Sequence, residues 1–156
     1  MDSYALIKLV HILSATLLLG TGLGSAFYLW RAHTSGEVAV IAAVSRQVVL
    51  ADWLFTLPAV ILQPLTGLWM MQLAGYRPTD FWILLAFALY GLAGACWLPV
   101  VWLQIRIRDM AALAQARGAP LPERYHRYMT VWFVLGWPAL LAVLAAFVVM
   151  VYRPVW

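Results

Sequence analysis

The chain has 156 residues, 65% of them hydrophobic and only 10% charged, with a mean hydropathy of +0.88 and a net charge of +4. Soluble domains are about half apolar and roughly a quarter charged, so the composition excludes a water-soluble globule and points to an integral membrane protein. The basic residues fall at segment ends, not in one patch, which excludes nucleic acid as a partner and marks them as topology determinants and anchors for anionic head groups.

The first apolar stretch, 4–30, reads "YALIKLVHILSATLLLGTGLGSAFYLW". No early basic run precedes it, and its apolar character outlasts the hydrophobic region of a secretory signal, so it is read as a retained helix. It carries His11, and an ionisable group inside a membrane helix is by default a functional-site hypothesis. His11, Ser14, Ala15, Leu18, Gly22 and Ser25 share one helical face, with Gly20 and Gly24 on an adjoining one. Such small residues either let two helices approach closely or leave space for a flat cofactor.

A lead-in over 35–50, "SGEVAVIAAVSRQVVL", has the pattern of an amphipathic helix and precedes the second span at 52–74. Within that span Asp52, Thr56, Ala59, Gln63, Thr66 and Met70 step by the helical period into a polar stripe that must face the bundle interior. Pro58 and Pro64 are expected to kink this helix and free backbone carbonyls for other partners. The turn "GYRPTD" leads to a third span at 81–105, with Asp80 as the expected cap. Cys96, the only cysteine, lies inside it as a packing residue, which excludes an intrachain disulfide or a cysteine-built zinc or iron–sulfur site. After the longest polar stretch, "QARGAPLPERYHRY", the fourth span covers 129–152.

The expected fold is therefore all-α: a single transmembrane four-helix bundle over 1–156. The first and third loops hold Arg31, Arg46, Arg106, Arg108, Arg117, Arg124 and Arg127, against Lys8, Arg77 and Arg153 on the other side. The positive-inside rule then puts the long loops in the cytoplasm and both termini outside.

With these directions His11, Gln63, Thr66, Met70 and Tyr90 fall at one depth and are expected to surround a single site. Lys8, one turn outward, can snorkel to the surface or meet an anionic group such as a propionate. His33 and His126 are expected at the cytoplasmic rim, solvated or beside lipid phosphates; a second metal or proton site with Asp52 is the weaker reading.

The stretch "YALIKLVHILSATLLLGTGLGSAFYLWRAH" resembles the first helix of the bacterial four-helix membrane protoporphyrinogen oxidases, and "RYHRYMTVWFVLGWPALLAVLAAFVVMVYRP" is similar in layout to their last. That resemblance implies heme b bound through the histidine that corresponds to His11. Those oxidases also use a lysine in the third helix, where "FWILLAFALYGLAGACWL" has none. Over essentially its whole length the chain resembles the bacterial family called domain of unknown function 2269, predicted integral membrane proteins, which implies an inner-membrane location and no particular activity.

Three functions stay open. One is a small heme b redox protein, with His11 as an axial ligand and Met70 or Gln63 on the opposite face, working with a membrane redox partner; a His/Met pair would raise the heme potential. Another is a non-catalytic structural or assembly module in which His11 hydrogen-bonds to Gln63 or Thr66. The third is copper binding or transport through His11, Met70 and Met71. The resemblance favours heme, and any catalysis would be oxidoreductase chemistry. A homodimer is the other expected partner. No hydrolytic triad, phosphate-binding loop or paired carboxylates are visible, and "GTGLG" lacks the strand and spacing of a dinucleotide loop.

Overall fold

The computed structural model describes residues 3–154. It is all-helical: α1 (Ser3–Ser35), α2 (Val38–Ala51), a π-helical turn (Asp52–Thr56), α3 (Leu57–Ala74), α4 (Phe81–Arg117) and α5 (Glu123–Tyr152). Because α2, the π turn and α3 run on continuously, four rods result, each long and apolar enough to cross a membrane. The expected four-helix membrane bundle is what forms.

The rods outrun the apolar stretches. α4 continues to Arg117 because "IRDMAALAQAR" is rich in strong helix formers, and Ile107, Ala111 and Ala114 on one side of it are buried. It stops at Gly118, whose φ of 59° suits glycine, with Pro120 and Pro122 beyond. The expected long polar loop is thus reduced to residues 118–122. Asp80 does occupy the N-cap position of α4, but its carboxylate makes no cap bond. It turns back to accept the Arg77 backbone N–H at 3.1 Å, closing the preceding turn instead.

The π turn lies just ahead of Pro58. A proline ring collides with the carbonyl four residues back and brings no N–H to bond it; widening the preceding turn relieves that conflict without breaking the rod. Pro64 acts differently. It leaves the Val60 carbonyl without its helical donor, and the Tyr90 hydroxyl of α4 donates to that oxygen.

α1 packs on α2 and α3, α2 on α4, and α4 on α5. The tightest core lies at the end of the bundle that holds the first and third loops: Leu29, Ile41, Ile107 and Tyr125 are wholly buried there. His33 and Tyr125 tie α1 to α5 at this end, Nδ1 to Oη, at 3.1 Å. At the opposite, terminal end, Arg153 donates to the Tyr76 hydroxyl at 2.5 Å and lies over the Tyr76 and Trp82 rings. The outward faces carry leucine, valine and aromatic side chains such as Leu65, Leu98 and Val134, as a surface in contact with lipid tails requires.

Candidate functional site

In the terminal half of the bundle, α1 and α3 meet through a run of buried polar side chains. His11, Ser14, Gln63 and Thr66 are each less than a tenth exposed. The spacing explains the meeting: His11 and Ser14 are three apart on α1, Gln63 and Thr66 three apart on α3, so each pair projects from one face.

Hydrogen-bond directions follow from proton supply. Thr66 Oγ1 donates its one proton within its own helix, to the Leu62 carbonyl at 2.6 Å. It must then accept from His11 Nδ1, 2.8 Å away. With the ring proton on Nδ1, Nε2 is an acceptor and takes a proton from the Gln63 amide nitrogen at 3.0 Å. The Gln63 carbonyl oxygen accepts from Ser14 Oγ at 2.5 Å. Ser14 thus donates to Gln63, Gln63 to His11, His11 to Thr66, and Thr66 to a backbone carbonyl. The imidazole is satisfied at both nitrogens.

Gly67 completes the setting. A Cβ there would stand 3.3 Å from His11 Cε1, a tight contact that would press on the ring.

The predicted site residues divide. His11, Gln63 and Thr66 come together as expected. Tyr90 bonds the Val60 carbonyl instead of His11 and, with Gln63, Ala15, Leu18 and side chains of α5, lines an apolar cleft of about 40 Å³ between the helix pairs. Met70 is half-buried one turn beyond Thr66, and Lys8 is exposed one turn out along α1. Neither joins the hydrogen-bond chain. Ser14 was legible as part of the His11 face but not as a partner of Gln63. Gly67 went unremarked, although a glycine next to Thr66 and one turn after Gln63 was the available signal.

Among the described residues His11 joins no group of three or more His, Cys, Asp or Glu placed to hold a metal ion, and in this arrangement both its ring nitrogens are hydrogen-bonded. The cleft beside Gln63 is well short of the roughly 300 Å³ at which cofactor pockets begin.

Of the loop-end histidines only His33 departs from expectation. His33 is half-buried and bonded to the buried Tyr125, while His126 is exposed with its ring 5.9 Å from that of His33. Asp52 is buried on the π turn, where it accepts from Thr56 Oγ1 at 2.9 Å. Among the described residues no group of three or more His, Cys, Asp or Glu is placed to hold a metal ion, so His33, His126 and Asp52 do not form one. Sequence reasoning missed a further polar feature of this half: the side chains of Gln104 and Trp132, which are buried without a hydrogen-bond partner among the described residues for Oε1 and Nε1.

No curated protein and no solved structure matches the chain. A family model described as predicted integral membrane protein (DUF2269) matches residues 5–154, and the chain belongs to that family.

Proposed function

We propose that the chain is a non-catalytic membrane module, a structural or assembly partner, in which His11 clasps α1 to α3. The observation that carries this reading is the engagement of both imidazole nitrogens, by Thr66 and by Gln63, in a chain of donors that ends on a backbone carbonyl. A histidine so satisfied adds specificity to a helix contact, since in lipid the apolar face alone gives helices little reason to choose one register. The surplus of arginines at the loop end supports an orientation with that end in the cytoplasm, and the family resemblance supports the bacterial inner membrane.

A second reading, heme b with a redox role, rests on the tautomer. A ligating imidazole donates one ring N–H to a fixed acceptor and keeps the other lone pair for the metal. His11 has this form, with Nδ1–H on Thr66 and Nε2 covered only by a neutral amide. Displacement of the Gln63 amide from Nε2 is the change this reading needs. His11, with Lys8 at the rim, would then hold the group, whose chemistry would be electron transfer at iron.

The test is the absorption spectrum of protein purified in mild detergent from heme-replete cells, before and after added hemin, beside His11→Ala. The structural reading expects no Soret band as purified and, once unbound hemin is removed by gel filtration, none retained after hemin is added. A Soret band that shifts on reduction and is lost in His11→Ala would overturn it in favour of heme. A Gln63→Ala variant that takes up hemin where the wild type does not would identify the amide as the barrier.

A further inference from the structure

A groove of about 310 Å³ opens on the outer surface between α4 and α5 near their loop ends, lined by Trp102, Arg106, Asp109, Met110, Leu113, Arg124 and Tyr128. We infer that it binds the phosphate of an anionic glycerophospholipid.

The groove is built around an aromatic pair. The Trp102 and Tyr128 rings, from different helices, have centroids 5.5 Å apart. Each ring carries a guanidinium: Arg106 Cζ lies 5.5 Å from the Trp102 centroid and Arg124 Cζ 5.2 Å from that of Tyr128. Arg124 Nε also donates to the Tyr128 hydroxyl at 2.8 Å. Stacking holds both cations on one platform and leaves donor edges free.

Neither cation has an acidic partner. The ion pairs among the described residues are Arg108 with Asp109 and Arg127 with Glu123. Asp109 does line the groove, but Arg108 Nε and Nη2 both donate to its Oδ1, at 2.9 and 2.7 Å, which cancels its charge locally. Two positive charges remain, held together by contacts that do not neutralise them. Such an arrangement is complementary to a phosphate.

Depth selects the lipid source. The apolar stretch of α4 ends at about Ile105, so Trp102 and Tyr128 lie where aromatic rings gather at a membrane surface. One turn deeper on each helix, Leu98 and Val131 are exposed. A phosphate seated on Arg106 and Arg124 would have its acyl chains run down those side chains. Basic pockets between helices on the cytoplasmic side are a known setting for anionic head groups.

Native mass spectrometry of the detergent-purified protein, titrated with phosphatidylglycerol or phosphatidylcholine, tests this. The wild type should retain phosphatidylglycerol in preference. Arg106→Gln with Arg124→Gln should weaken that binding tenfold or more, while Arg46→Gln with Arg117→Gln, an equal charge loss elsewhere at the same end, should change it less than twofold. Equal losses in the two pairs, or no preference in the wild type, would overturn the site in favour of diffuse attraction. Displacement of the lipid by millimolar inorganic phosphate would overturn the lipid as occupant. Arg106→Lys with Arg124→Lys keeps the net charge and guards against a folding defect. It should lose threefold or more, because an ammonium cannot stack and donate in pairs as guanidinium does; an unchanged affinity there would also sink the built groove.

Discussion

The His11 ring is held by two neutral partners, Thr66 and Gln63, and the arrangement works only if each hydroxyl of the chain spends its single proton in one direction. Thr66 is the key, since its bond to Leu62 within α3 fixes it as the acceptor for Nδ1. Interhelical hydrogen bonds in membranes are worth about 0.6 kcal/mol on average and at most about 1.7 kcal/mol. A double-mutant cycle on His11→Ala and Thr66→Val, read as unfolding free energy in bicelles, should therefore give a coupling inside that range; strictly additive losses would show that the two side chains do not bond. Close approach makes a second prediction. Gly67→Ala puts a methyl group 3.3 Å from the ring, whereas at Gly91 an added Cβ meets nothing. Both changes gain the same helix propensity, so their difference isolates the clash. Gly67→Ala should be the less stable by about 1–3 kcal/mol, the usual cost of overpacking, and equal stabilities would place the ring elsewhere.

At the scale of the helix, proline and tyrosine form one device. Pro64 removes the N–H that would have bonded the Val60 carbonyl, and Tyr90 supplies a donor from α4. Tyr90→Phe alone leaves that carbonyl bare in an apolar setting and should cost about 1–3 kcal/mol. In a Pro64→Ala background the helix can bond the carbonyl itself, so the same substitution should cost much less; an unchanged cost would show that Tyr90 stabilises through packing. Pro64 was legible as the source of a free carbonyl, because the effect of a proline is local and covalent, whereas at Pro58 a π turn takes up the conflict instead. The polar stripe on the second span was legible too, since period and lipid together leave it one direction to face, and His11, Gln63 and Thr66 follow from it. What periodicity leaves out is direction beyond the face. It places Tyr90 and Met70 at the depth of His11, but the identity of a hydrogen-bond partner depends on helix rotation and rotamer, which no repeat encodes. Helix ends differ for another reason: α4 continues past its apolar stretch on intrinsic propensity and on the burial of Ile107, Ala111 and Ala114, whereas an apolar run marks only the span. Tyr125 looked like loop for the same reason, and it is among the most buried side chains in the protein.

Across the whole molecule, packing is uneven from one end to the other. The loop end has a continuous core drawn from α1, α2, α4 and α5. Toward the terminal end α3 pairs with α1 and α4 pairs with α5, and the apolar cleft bounded by Gln63, Tyr90 and Phe147 lies between the pairs. Thus the polar clasp lies inside the α1–α3 pair that borders the cleft, and it adds to the packing between those two helices. The two halves should answer differently to the same truncation. Leu29 is completely buried at the loop end, and Leu18, on the same helix, lines the cleft. Because an unfolded membrane helix still lies in hydrocarbon, the transfer part of a Leu→Ala cost shrinks and the packing part remains. Leu29→Ala opens a closed void and should cost about 2 kcal/mol or more. Leu18→Ala enlarges a cleft that neighbouring side chains and lipid can refill, so it should cost about 1 kcal/mol less, measured as unfolding free energy in the same bicelles. Equal costs would mean that the terminal half is as closely packed as the loop end.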